Sequence, residues 1–180
     1  YPAPGEPEVA KRAAELLQQA GFPVQVDDDY GWDHGVFIPL KVMFPEADVP
    51  VVAMSIHPSL DPVLHCKLGQ ALSSLRDEGV LVIGSGMSFH NMRGYGDPRF
   101  GPISDAFDAW LTQAIQAEPM TRNKALTDWE QAPGARLCHP PRAEEHLIPL
   151  MVVAGAAAED KGAKVFSDRV MQTTLSAFQF

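Results

Sequence analysis

Three of the six histidines stand at the edges of apolar stretches. His34 falls in Trp32-Asp33-His34-Gly35, ahead of the run Val36 to Phe44. His90 closes Gly84-Ser85-Gly86-Met87-Ser88-Phe89-His90, and His146 sits in Glu144-Glu145-His146-Leu147-Ile148-Pro149-Leu150. An imidazole titrates near neutral pH and is the commonest metal ligand, so each position is a candidate for proton transfer or metal binding. Each also has a plainer reading. His34 could belong to a helix N-cap in which Asp33 does the capping, His90 could cap a helix, and His146 could be a structural residue near a helix start. Glu144 and Glu145 read either as partners of His146 or as complements to a helix dipole. His57, His65 and His139 read as surface residues.

The elements that must hold these side chains follow a strand–helix alternation. Pro7 to Ala20, rich in Ala, Leu, Glu and Gln, predicts a helix that Pro7 opens and Gly21 ends. Phe22 to Val26 predicts a short strand, and Gly35 to Phe44 a helix with Pro39 in its first turn or at a bend. The β-branched run Val49 to Ile56 and the segment Val80 to Ile83 predict strands buried in a parallel sheet. Between them, Asp61 to Glu78 has helical spacing and stops at Gly79. Helices are expected over 104–116, with Ser104 as N-cap, and over 121–129 and 143–158, the last placing His146 in its first turn. Lys164 to Met171 and Thr173 to Phe180 close the chain as two strands of a hairpin. The expected fold is a single α/β domain, a layered sheet with helices on both faces. His90 then lies just beyond the carboxyl end of a strand, where open α/β sheets collect their ligands.

The bulk numbers exclude more than they assign. At 180 residues with 46% hydrophobic and 21% charged, the chain has the composition of an ordinary globular domain. The formal charge of −9 disfavours nucleic acid and anionic membranes as partners. Gly84-Ser85-Gly86 has neither the spacing of a dinucleotide fingerprint nor a P-loop lysine. Cys66 and Cys138 form no CxxC pair, which suits a reducing, cytoplasmic setting. Residue 1 is tyrosine, and Tyr1-Pro2-Ala3-Pro4-Gly5 reads like a mid-chain loop, so the chain is expected to be a fragment or a processed product.

Taken together and in order, the histidine segments resemble the class III extradiol ring-cleavage dioxygenases, most closely the DOPA 4,5-dioxygenase-like branch. The strings that carry the resemblance are Tyr1 to Gly5, Trp32 to Gly35 with Pro39-Leu40-Lys41, Met43 to Pro50, Leu75 to Gly79, Ser85-Gly86 through His90 to Arg93, and Glu145 to Leu150. The resemblance implies an enzyme that opens a catechol ring with O₂ at a non-haem Fe(II), with zinc as the alternative metal. It implies His146 as a metal ligand, His90 as the acid/base histidine beside the metal, and His34 as a second histidine that hydrogen-bonds substrate or oxygen. The implied partners are a small aromatic diol and O₂.

The chain departs from that pattern at its start. Relatives carry an early His-Gly-Ser motif and a strand ending in Ser-x-His, which supply two more ligands, and neither is present here. The expectation is therefore the C-terminal two-thirds of a catalytic domain, residues 1–180, that binds metal poorly by itself. Its unpaired sheet edge would be covered by a homo-oligomer or by a complementing N-terminal segment. The competing reading is a non-catalytic binding module that retains the fold without a complete metal site. A zinc hydrolase is a third, which the lack of an HExxH motif hardly supports.

Overall fold

Helices account for most of the regular structure. The computed structural model describes residues 1–180. It contains helices α1 (Pro7–Gln19), α2 (His34–Met43), α3 (Pro62–Leu72), α4 (Phe100–Gln116), α5 (Pro119–Thr127), α6 (Ala135–Cys138) and α7 (Ile148–Ala156). Strands β1 (Ala163–Val170) and β2 (Thr173–Gln179) form an antiparallel hairpin. The hairpin turns at Met171 and Gln172, both at positive φ, which matches the right-handed twist of the flanking strands. The single α/β domain expected from the sequence is what the chain forms.

Local chemistry explains most helix ends. Pro7 and Pro62 occupy first-turn positions where a missing N–H costs nothing. Gly21, at φ 86°, stops α1 as its N–H reaches back to the Gln18 carbonyl. The Asp61 carboxylate caps α3 by accepting from the N–H groups of Val63 and Leu64. Past Leu72 this helix tightens into a 3₁₀ turn, Ser73–Arg76, rather than running on to Glu78, and Gly79 at φ 84° ends it. Helix α4 begins at Phe100, four residues before the expected cap. Ser104 is instead a buried interior residue whose hydroxyl donates to the Gly101 carbonyl and accepts from Thr174 N–H.

The main core lies among α4, α5, α6, α7 and the hairpin. Phe107, Leu111, Ile115, Leu126, Trp129, Ile148 and Met151 are all at most 1% exposed there. A smaller cluster joins Leu17 of α1 to Leu68, Leu72 and Leu75. Helices α3 and α7 cross with their backbones nearly touching. A Cβ added to Gly69 would lie 1.9 Å from the Val152 carbonyl oxygen, and one added to Gly155 would meet Cys66 O at 2.1 Å.

The strands expected over 22–26, 49–56 and 80–83 form no ladder. Residues 49–56 make one parallel bridge, Val51 with Gly5, and the segments 22–26 and 80–83 make no ladder. Leu81 stays 69% exposed and Val52 38%. Their composition suits a sheet interior, yet a strand forms only where a second strand takes up its N–H and C=O groups. The sheet actually present is the two-stranded hairpin. No helix is long and apolar enough to cross a membrane.

Candidate metal and acid/base site

His146 is set by the turn that precedes α7, not by the helix itself. The Glu144 carbonyl accepts from both Leu147 N–H (2.8 Å) and Ile148 N–H (3.0 Å), and Pro149 then starts the helix. The helix therefore begins five residues later than expected, and His146 stands at its threshold. The Glu144 carboxylate is turned away and taken by Arg136, whose guanidinium also pairs with Glu130 at 2.6 Å and lies 4.7 Å from the Trp129 ring centroid. Glu145 is left free to face the site.

The segment carrying His90 is stitched to the same turn. Met87 N–H donates to the His146 carbonyl at 3.0 Å. Gly86 makes this approach feasible, since a Cβ there would sit 2.1 Å from that carbonyl oxygen. His90 N–H then donates to the Cys138 carbonyl (3.0 Å) and Asn91 Nδ2 to the Leu137 carbonyl (2.8 Å). The result is a stacked pair of imidazoles, His90 on His146, with centroids 3.6 Å apart and planes inclined by 26°.

Three donor groups converge there. One ligand atom each from His90, Glu145 and His146 lie within 4.8 Å of one another, and Glu145 Oε1 is 3.8 Å from His90 Nδ1. The Nδ1 atoms of His90 and His146 are both buried without a hydrogen-bond partner. Orphaned buried nitrogens facing a carboxylate are what a divalent cation would satisfy, so these residues fit a metal. Burial holds the His146 pKa below the ordinary histidine value, with the neighbouring His90 and His34 adding to the depression and Glu145 opposing it. His146 is thereby kept neutral, with the lone pair that a ligand needs.

His34, at the start of α2, lies near enough to add to the depression of the His146 pKa. Asp33 caps α2 by accepting from Val36 N–H at 3.2 Å, the plainer of the two readings of this motif. Pro39 lies well inside α2, past the first turn, and has no N–H to give to the Gly35 carbonyl four residues back. Ser85 Oγ donates to that carbonyl at 2.5 Å instead. The start of α2 is thus tied to the glycine turn that leads to His90. A cavity of about 570 Å³ opens beside His146, walled by Val80 to Gly84, Met87, Pro149, the end of β2 from Ser176 to Gln179, and Phe180. Neither His90 nor His34 lines it.

The chain matches the family model described as the catalytic LigB subunit of aromatic ring-opening dioxygenase over residues 1–179. The chain belongs to that family. It is 44% identical to a 4,5-DOPA dioxygenase extradiol of Beta vulgaris, covering 92% of this chain and 61% of that protein. A dioxygenase of Hapsidospora irregularis is 40% identical over 95% of this chain and 56% of its own length. The crystal structure of an uncharacterized protein from Escherichia coli K12 superposes with a TM-score of 0.85 at 31% identity, covering 99% of this chain and 73% of that one. The chain therefore spans about three-fifths of the curated relatives it matches.

Sequence reasoning did not single out Glu145 and misplaced His139 and His65. Glu145 was one of two acidic neighbours that nothing ranked, and only the capture of Glu144 by Arg136 separates them. His139 reads as a surface residue, yet it is 0% exposed, as is His65. The flanking Leu137-Cys138 was the available signal for His139. His65 is structural: its Nδ1–H donates to the Asp61 carbonyl (2.6 Å) and its Nε2 accepts from His57 N–H (3.0 Å). Of the three residues read as superficial, His57 alone is exposed.

Proposed function

We propose that residues 1–180 form the C-terminal two-thirds of an extradiol dioxygenase catalytic domain acting on a DOPA-like catechol with O₂. The observation that carries this reading is the stacked His90–His146 pair with two orphaned Nδ1 atoms, flanked by Glu145 and approached by His34. Family membership and the names of the relatives support the reaction class.

In this reading His146 is a metal ligand, Glu145 the nearest carboxylate to it, and the metal is Fe(II), with zinc as the alternative. When bound, such a cation supplies Lewis acidity that lowers the pKa of a catechol hydroxyl and brings diol and O₂ together. His90 takes the hydroxyl proton and later returns it. Glu145 Oε1 stands 3.8 Å from His90 Nδ1, beside the ring that moves the proton. His34, on the tethered start of α2, donates a hydrogen bond to an oxygen of the substrate or of O₂. The apolar residues beside His146 offer a surface for the aromatic ring.

The chain is expected to need a complementing segment from a relative's N-terminal third, either in trans or fused. The test incubates it with Fe(II), O₂ and DOPA and follows the yellow semialdehyde. The chain alone should give little product and bind iron weakly, and the complemented protein should turn over. Tight stoichiometric iron binding by the chain alone would refute the need for the segment. A complemented, iron-loaded protein without product would favour the non-catalytic binding module.

A further inference from the structure

The proposed chemistry leaves unused the most deeply buried imidazole near the site. His139 is 0% exposed, edge-on to Trp129 with centroids 5.9 Å apart and tilted against Phe107 at 5.4 Å. Its Nε2 lies 3.0 Å from the Ser88 carbonyl oxygen, and its Nδ1 is buried without any partner. A carbonyl oxygen can only accept, so Nε2 carries the proton and Nδ1 the lone pair. With one nitrogen on a carbonyl and the other without a hydrogen-bond partner, the ring has no hydrogen-bonded route for passing a proton on. A phenylalanine would fill the same space without burying an unmet acceptor, which costs free energy. The donor at Nε2 is what distinguishes histidine here.

That donor acts on the strip of chain that carries His90. Residues 88–91 dock on residues 137–139 through three bonds, two of them from side chains. His139 Nε2–H donates to Ser88 O, His90 N–H to Cys138 O at 3.0 Å, and Asn91 Nδ2 to Leu137 O at 2.8 Å. Just upstream, Met87 N–H holds the strip to the His146 carbonyl at 3.0 Å and the Ser85 hydroxyl reaches Gly35 O, while residues 81–86 make no backbone–backbone hydrogen bond, so the three bonds to residues 137–139 carry most of the hold on residues 88–91. Ser88 is held a second time when its Oγ accepts from Ser176 N–H at 2.9 Å. We propose that His139 is a positioning residue, which by donating Nε2–H to the Ser88 carbonyl fixes the angle at which the His90 ring meets His146. This role rests on the acid/base reading of His90, but the placement it describes exists without metal or turnover.

The test begins with the wild-type chain. Long-range ¹H–¹⁵N spectra at pH 7 should show His139 as the neutral Nε2–H tautomer, and an Nδ1–H tautomer or a charged ring would overturn the proposal. His139→Gln keeps a donor at similar reach, whereas His139→Phe keeps the packing and loses the donor. In His139→Phe the ring-current displacement of the His90 and His146 protons should collapse, while in His139→Gln it should persist. Persistence in His139→Phe would make the ring mere core filling, and collapse in His139→Gln would show that the donor is not what matters. Should His139→Phe fail to fold, the tautomer and His139→Gln decide. In the complemented enzyme, His139→Phe should lower kcat roughly ten-fold with little change in KM, as for other residues that orient a catalytic group, and His139→Gln should recover most of it. A failed ring-cleavage assay in wild type would sink the dioxygenase reading while leaving the spectra interpretable.

Discussion

Two strand-like segments of this chain meet opposite fates. Thr173–Gln179 pairs along its length with Ala163–Val170, rests against α4 and buries Thr173 completely. Val80–Ile83 is more apolar, yet it leaves Leu81 at 69% and Ile83 at 45% exposed, with no backbone hydrogen bond after Val80. β-propensity describes a fit to a pleated, half-buried surface, and without that surface the residues are merely extended. The same divide crosses the site. His90 and His146 are anchored to the packed body through Cys138, Leu137 and Met87. His34 is exposed and belongs to the looser side, held by the Ser85 bridge.

The sharpest way to break this contrast is by truncation on each side of it. Phe107→Ala, at a position 1% exposed within the core, should cost about 3–5 kcal/mol. Leu81→Ala should stay within about 0.5 kcal/mol, as for surface sites. Urea unfolding of both variants measures the difference. A cost above about 2 kcal/mol for Leu81 would mean that this segment is packed in solution, as it would be in a homo-oligomer.

Acid should act on the packed side next. Burial, outweighing the Ser88 hydrogen bond, pushes the His139 pKa down to about 4, and burial also lowers that of His65. A histidine whose folded pKa lies below its unfolded value of 6.5 binds fewer protons folded than unfolded in that interval. Stability must therefore fall as the pH drops from about 6.5 towards 4. His139, being fully buried, should account for about 3 kcal/mol of that loss. Denaturant midpoints at pH 7, 5.5 and 4.5 would show it, and a flat profile in that window would contradict the buried neutral ring.

The packed side was also the more legible one. Pro7, Gly21 and the Ala/Leu/Gln composition locate α1 to within a residue, and the two closing strands were placed nearly as closely. Both are local matters of caps and turns. The site histidines are legible because each stands at the edge of an apolar run, and Gly86 in the turn before His90 proves to be small for a reason, the passage of the His146 carbonyl. The strands at 49–56 and 80–83 were misjudged because pairing is a property of a partner and cannot be read from the segment itself. His139 was misjudged because its burial depends on Phe107 and Trp129, far from it in sequence. The late start of α7 reflects two N–H groups competing for the Glu144 carbonyl, a contact that helical periodicity does not encode.

The finest probe of the contrast is the bridge that joins its two sides. Pro39 deprives the Gly35 carbonyl of its helical donor, and the Ser85 hydroxyl replaces it. Ser85→Ala should cost only about 0.5–1 kcal/mol, because water reaches this partly exposed carbonyl. Its local effect should be larger, with faster modification of His34 by diethyl pyrocarbonate and unchanged modification of the better-anchored His90. Pro39→Ala would restore an N–H at the right place in the helix, so the same Ser85→Ala change made in that background should cost almost nothing. Such non-additivity is expected where two residues serve one acceptor. If the two substitutions simply add, the Gly35 carbonyl is not the shared link, and His34 is held by something other than the serine of the glycine turn.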